Sequence, residues 1–291
     1  MSRLSLASSL VVVGCALAAT AFGFSALRSH GAAVPAPGHN VVSSLWSVPV
    51  TGGRARLVLR DRGTQDAYPV YRSGGRSILI VRPTGPGTTA LLEVTPDGHE
   101  QRLRSLPRLS PLAYSPRRDA LAVLRGAAVF EETVSGRRLR LLAHVSPLGS
   151  SNVAWSADGT TLAFAQVVHA AANPYQQEVM VLRGRRERRF QMSGSPTELA
   201  LSPHGDRLAF ENANALLLLD VKTGRTNVLA LNVAQPVWSP DGDTIAYGDS
   251  RGLVTLDLAS GRRRLVAARA ANASFAPDGR TLLYVTLSHQ L

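Results

Sequence analysis

The 291-residue chain has one cysteine, Cys15, inside an N-terminal apolar stretch. Beyond residue 15 there is therefore no disulfide, no thiolate metal site and no cysteine nucleophile. Lysine is almost missing: of 32 Lys plus Arg, only Lys222 is lysine. Arginine in its place, beside abundant Ala, Gly and Val, is what a GC-rich genome encodes. The net charge of +12 thus speaks to association with acidic surfaces and not to fold. Catalytic motifs are also lacking. No Gly-x-Ser-x-Gly elbow occurs, the seven histidines never take His-Glu-x-x-His spacing, and no Gly-rich phosphate loop follows a strand and opens a helix. Zinc ribbons, thiol enzymes and disulfide-stapled mini-domains are excluded, and a nucleophilic triad has no support.

What is present begins with an uncharged run from Leu4 to Leu27, bounded by Arg3 and Arg28. As a hydrophobic helix it would be about 36 Å long, enough to cross a bilayer core of roughly 30 Å. Three readings stand side by side. The run is an uncleaved anchor, a signal cleaved at a small-residue site such as 19–21, or a lipoprotein signal. In the last, Val12-Val13-Gly14-Cys15 makes Cys15 the lipidation candidate. All three export the rest of the chain, to face the periplasm or exterior if anchored, or as a secreted or periplasmic protein if cleaved. The expected organisation is 1–27 as signal or membrane anchor, 28–40 as a Pro/Gly/Ala tether and 41–291 as one folded domain.

That domain is organised by a repeat. Val237-Trp238-Ser239-Pro240-Asp241-Gly242-Asp243-Thr244-Ile245-Ala246-Tyr247 recurs at 154–164, 200–210 and 274–284, with eroded copies at 70–80 and 113–123. The turn position falls at Gly75, Arg118, Gly159, Gly205, Gly242 and Gly279, a period near 40. Strand–turn–strand content at that period marks propeller blades. Each unit reads as four antiparallel strands: an aromatic-bearing strand, a Ser-Pro-Asp-Gly reversal, an apolar strand and a second hairpin. Residues 44–59 form a lone second hairpin, whereas the last copy, from 271, has room for only two strands. Because an unpaired sheet edge is a liability, the N-terminal hairpin is expected to complete the final blade. The fold class is all-β, a closed six-bladed β-propeller.

The Trp/aromatic-Ser-Pro-Asp-Gly turn followed by Ile/Leu-Ala-Tyr/Phe resembles the WD-like repeats of TolB-type β-propellers, over about residues 41–291. The resemblance implies the fold and is nearly silent about function. The family's full-length periplasmic member carries an α/β domain before the propeller, for which this chain has no room, so a role in the Tol–Pal system is not carried over. Fold likeness alone assigns no function.

Within the repeat, Asp158, Asp241 and Asp278 read as turn acids. Trp155, Trp238, Tyr71, Tyr114 and Phe275 read as packing between blades. More informative is the position four residues before the motif serine, which holds Tyr68, Pro111, Asn152, Glu198, Gln235 and Asn272. It lies where the innermost strand begins, so ring symmetry gathers these side chains at the channel mouth. An insertion at 166–177, containing His169, Asn173 and Tyr175, is expected to overhang the same face. The binding site expected from sequence is therefore Tyr68, Asn152, Glu198, Gln235 and Asn272 with His169 and Tyr175.

The leading reading is a non-catalytic protein-binding scaffold of the cell envelope, with an unidentified envelope protein as partner. The chain is expected to be a monomer and to need no cofactor. A rival is a Ca²⁺-dependent hydrolase or lactonase using Asn152, Glu198 and Asn272 as oxygen ligands, resembling six-bladed lactonase-type propellers. The aspartate such a site needs is missing from the ring unless Asp66 bends inward. A third reading is a module whose arginine rim (Arg137-Arg138, Arg183 to Arg189, Arg262 to Arg264) binds anionic polymer, sugar or lipid headgroups. Nucleic acid is not expected, since no aromatic platform accompanies the arginines.

Overall fold

The computed structural model describes residues 41–60, 67–85, 88–95, 97–107, 112–136, 139–146, 150–168 and 176–289. The apolar run and tether lie outside the described residues, among which no helix is long and apolar enough to cross a membrane.

Among the described residues, twenty-four strands form six antiparallel four-stranded sheets. β1 (Val41–Pro49) and β2 (Arg56–Arg60) come first. Blade 1 contains β3 (Ala67–Tyr71), β4 (Ile78–Gly85), β5 (Thr88–Val94) and β6 (Glu100–Pro107). Blade 2 contains β7 (Leu112–Ser115), β8 (Ala120–Arg125), β9 (Ala128–Thr133) and β10 (Leu139–His144). Blade 3 is built of β11 (Ser150–Trp155), β12 (Thr161–Val168), β13 (Gln176–Arg183) and β14 (Arg186–Met192). Blade 4 is β15 (Thr197–Leu201), β16 (Arg207–Asn212), β17 (Ala215–Asp220) and β18 (Thr226–Leu231). Blade 5 is β19 (Ala234–Trp238), β20 (Thr244–Asp249), β21 (Gly252–Asp257) and β22 (Arg263–Ala268). In blade 6, β23 (Ala271–Phe275) and β24 (Thr281–His289) share a sheet with the first two strands, in the order β2-β1-β24-β23.

The Ile/Leu-Ala-Tyr/Phe signature has a direct packing reason. Side chains alternate across a strand, so the large pair faces one neighbouring blade and the alanine the other. In β12, Leu162 and Phe164 pack towards Ala120, Ala122 and Val129 of blade 2. Ala163 and Ala165 receive Leu208 and Phe210 of blade 4. The pattern repeats with Ile245 and Tyr247 facing Ala209 and Leu216, and with Leu282 and Tyr284 facing Ala246 and Leu253. The core is thus six clusters, one per blade interface, and not a single interior. Fully burying each such large side chain contributes about 1.5–3 kcal/mol.

The turns behave as their composition requires. Ser156 Oγ donates to Asp158 Oδ1 (2.7 Å) and accepts from the Thr161 N–H (2.9 Å). Ser239 does the same with Asp241 (2.5 Å) and Thr244 (2.9 Å). In blade 4, where His204 replaces the aspartate, Ser202 donates to Asp206 instead (2.5 Å). Gly205 must be glycine twice over: its φ is +69°, and a Cβ would collide with the Thr161 side chain of blade 3. Where the motif is eroded, an ion network takes over. Arg72 of blade 1 clasps Asp119 of blade 2 through Nε–Oδ1 (3.0 Å) and Nη2–Oδ2 (2.7 Å), and Tyr114 also donates to that carboxylate (2.8 Å).

Candidate functional site at the channel mouth

The five described mouth positions share one unusual backbone state. Tyr68, Asn152, Glu198, Gln235 and Asn272 all have left-handed φ, between 50° and 58°. A register slip falls at each of them: between Ala67 and Val70, Ser151 and Val153, Thr197 and Ala200, Ala234 and Val237, and Ala271 and Ser274. The innermost strand of five blades therefore begins with a bulge, which re-aims one side chain out of the regular alternation. A non-glycine residue in this region costs energy that the surrounding fold must offset, and such strain concentrates at functional positions. Pro111, the sixth position, lies outside the described residues, and β7 pairs with β8 without a slip.

Neighbouring mouth residues engage one another. Gln235 Nε2 donates to Asn272 Oδ1 (2.8 Å), and the Asn272 N–H donates to Gln235 Oε1 (3.0 Å). This reciprocal pair links blades 5 and 6. Tyr68 of blade 1 stands three blades from Glu198, on the opposite side of the ring. Surrounding protein raises its phenol pKa first, and the Glu198 charge raises it further, so the two groups interact across the mouth. The Tyr68 side chain is also 55% exposed, the most exposed aromatic among the described residues.

Glu198 is the chemically distinctive member. Burial, then the nearby Glu211 carboxylate, pushes its pKa up to about 7. Glu211, opposite Thr197 on β16, is itself raised by burial. Neither carboxylate has an ion-pair or hydrogen-bond partner among the described residues. Elsewhere the buried or half-buried acids have partners, either an arginine, as Glu93 has Arg72 and Glu132 has Arg104, or turn donors, as Asp158 has Ser156 and Thr160. On a chain of net charge +12, two unpaired carboxylates at one mouth stand apart.

Sequence reasoning missed Glu211, although a signal existed. Its repeat position holds Ala165 in blade 3, Gly248 in blade 5 and Val285 in blade 6, so a carboxylate there breaks the pattern. His169, Asn173 and Tyr175 of the insertion lie outside the described residues, as does Asp66. The insertion's flanks are in place: Val168 pairs with Gln176, and Gln166 bridges the Ser146 N–H (2.9 Å) and Glu178 Oε1 (2.8 Å). Among the described residues no group of three His, Cys, Asp or Glu is placed to hold a metal. A cavity of about 220 Å³ lies away from the mouth, between blades 6 and 1, lined by Arg56, Tyr71 and Arg76 among others.

No family profile matches the chain, and no curated protein matches it in sequence. Solved structures do resemble it. A provisionally assigned TolB from Agrobacterium tumefaciens matches at TM-score 0.67 and 16% identity, over 85% of this chain and 99% of that one. A chain of a nidogen/laminin complex matches at TM-score 0.58 and 13% identity, over 84% and 98%. An oligogalacturonate lyase from Vibrio parahaemolyticus matches at TM-score 0.52 and 9% identity, over 85% and 97%. At these identities the likeness is one of fold. The fold is that of a TolB-like propeller, and its neighbours include a lyase and a partner in a protein complex.

Proposed function

We propose that the chain is a non-catalytic binding scaffold, exported to the cell envelope, that holds a protein partner at the channel mouth. The observation that carries this reading is the shared left-handed backbone of five polar-capable residues, one at the start of the innermost strand in each of five blades, with Gln235 and Asn272 bonded to each other across two blades. A ring closed by the β1–β24 pairing fixes that constellation in advance, so little ordering entropy is lost on binding. The apolar run 4–27 supplies export and tethering in this reading, with the tether ending at Val41. Photo-crosslinking from the Tyr68 position of the full-length chain in cells tests it. A discrete adduct that disappears with Glu198→Ala, in a variant of unchanged melting temperature, supports the mouth as the contact face. An unchanged adduct removes it.

One observation favours a second reading. Glu198 and Glu211 without a cationic partner are a donor set for a hard cation such as Ca²⁺, and Asn152 of the adjacent blade offers an amide oxygen. Asn272 fits less well, because its Oδ1 already accepts from Gln235. In that reading the propeller is a metal-dependent hydrolase. A metal at about 100 times its dissociation constant stabilises a protein by about 2.7 kcal/mol, a readable rise in melting temperature. Ca²⁺ or Mn²⁺ stabilisation that Glu198→Ala abolishes would favour it; indifference to either metal leaves the scaffold reading.

A further inference from the structure

We propose that the flank built from the outer strands of blades 4, 5 and 6 lies against an anionic lipid bilayer, orienting the propeller on the membrane. This surface is distinct from the mouth. It comprises β18, β22 and β2 with their hairpins, at 222–233, 259–270 and 51–60. These three segments contain nine Lys or Arg and no Asp or Glu. The outer strands of blades 1 and 3 do include acids, Glu100 in β6 and Glu187 in β14.

Charge alone does not separate a bilayer from any other polyanion; the aliphatic side chains do. Leu57, Val228, Leu231 and Leu265 are 37%, 61%, 68% and 44% exposed, on these three strands. Leu141 of blade 2 is the one other aliphatic counterpart among the described residues. Leu57, Val228 and Leu265 occupy the same register, opposite Trp46, Leu217 and Val254, each just before the slip in its outer strand. They form a belt at one height. Arginine stems join the belt: Arg263 donates to the Leu229 carbonyl of blade 4 (2.6 Å), and Arg264 to the Thr51 carbonyl of blade 6. Apolar side chains at one level, among arginines whose stems lie along the surface and whose heads stay in water, suit the boundary between headgroups and acyl chains. Blade 3 provides the contrast. β14 has three arginines but no large exposed aliphatic side chain, so pure electrostatic capture would use it as readily as any one strand of the flank.

Chain connectivity agrees. The described structure starts at Val41 in β1, in blade 6, so the apolar run 4–27 is joined to this same flank through residues 28–40 alone.

The test uses the full-length chain carrying Cys15→Ser and one nitroxide, at Leu265→Cys or, as control, at Glu187→Cys. Each is mixed with phosphatidylcholine vesicles with and without phosphatidylglycerol. Collisional accessibility to oxygen and to a water-soluble nickel chelate is then read. The label at 265 is expected to gain oxygen and lose nickel accessibility only with phosphatidylglycerol, while the label at 187 stays aqueous. High salt, or Arg56→Glu with Arg225→Glu, is expected to reverse the change at 265. A label at 265 that stays in water with phosphatidylglycerol overturns the proposal, as does equal burial in neutral vesicles or an equal response at 187. Neither result touches the mouth reading, which the Tyr68 crosslink tests separately.

Discussion

Arg207 of blade 4 lies over Trp238 of blade 5, its guanidinium carbon 4.8 Å from the ring centroid, while Nη2 donates to the Gly242 carbonyl at 2.8 Å. One side chain thus ties the end of a strand to both the aromatic and the turn of the next blade. Trp238 reciprocates by donating Nε1–H to the Ala200 carbonyl of blade 4 at 2.9 Å. Arg118 holds the same relation to Trp155, at 5.7 Å, and donates to the Gly159 carbonyl at 2.9 Å. The repeat aromatic is therefore both core and half of an inter-blade latch.

Arg207→Ala is expected to cost about 1–2 kcal/mol, combining a part-buried cation–π contact with one hydrogen bond to a carbonyl. Arg207→Lys should recover only a fraction, since an ammonium cannot lie flat on the indole while donating to Gly242. Urea unfolding of the two variants checks both numbers. A loss confined to the cation–π part would also show as coupling with Trp238→Phe in a double-mutant cycle.

The left-handed ring gives a prediction of opposite signs at one residue. Asn152 has φ of 53°, where a β-branched side chain is strongly disfavoured and glycine is at ease. Asn152→Val is expected to destabilise by about 1–3 kcal/mol. Asn152→Gly should stay within about 1 kcal/mol of the parent, because relief of strain is set against a more flexible unfolded chain. Equal losses in both variants, measured by denaturant midpoints, would mean that the side-chain contacts and not the backbone state dominate at this position.

Much of this architecture was legible in the sequence, because the features that set it are local and repeated six times. Ser-Pro-Asp-Gly reverses the chain by hydrogen bonds within six residues, as Ser239, Asp241 and Thr244 make them. Ile-Ala-Tyr sorts its faces by strand alternation alone. The mouth was legible as a position but not as a geometry. Nothing in Gln235 or Asn272 taken singly announces a left-handed bulge, which arises where an innermost strand meets its partner one residue out of step. Nor did the sequence reveal that Glu198 lacks a counter-ion, a property of what the other blades bring near it. The eroded turns of blades 1 and 2 read as weakened copies. The Arg72–Asp119 clasp that replaces them joins residues 47 apart and emerges only in three dimensions.

Glu198 makes the mouth sensitive to pH. Its folded-state pKa, about 7, lies above the ordinary 4.5, so the folded protein holds this proton more tightly than the unfolded chain does. The group's stabilising contribution is therefore fully present below 4.5, declines as pH rises from 4.5 to 7, and is lost above that. Turn acids such as Asp241, held low by the Asp243 N–H and Ser239, act the other way and lose their contribution as pH falls below the usual carboxylate range. Glu198→Gln is expected to gain about 1–2 kcal/mol over the parent near pH 8 and only about a quarter of that near pH 5, a part-buried carboxylate being discounted for solvent. Denaturant midpoints across that interval check it, and a parallel pH profile in the variant would sink the assignment. The same titration separates the partners the mouth prefers. A ligand presenting a cationic group gains affinity as pH rises through 7 and Glu198 ionises, whereas a ligand that accepts a hydrogen bond from the protonated carboxyl loses it.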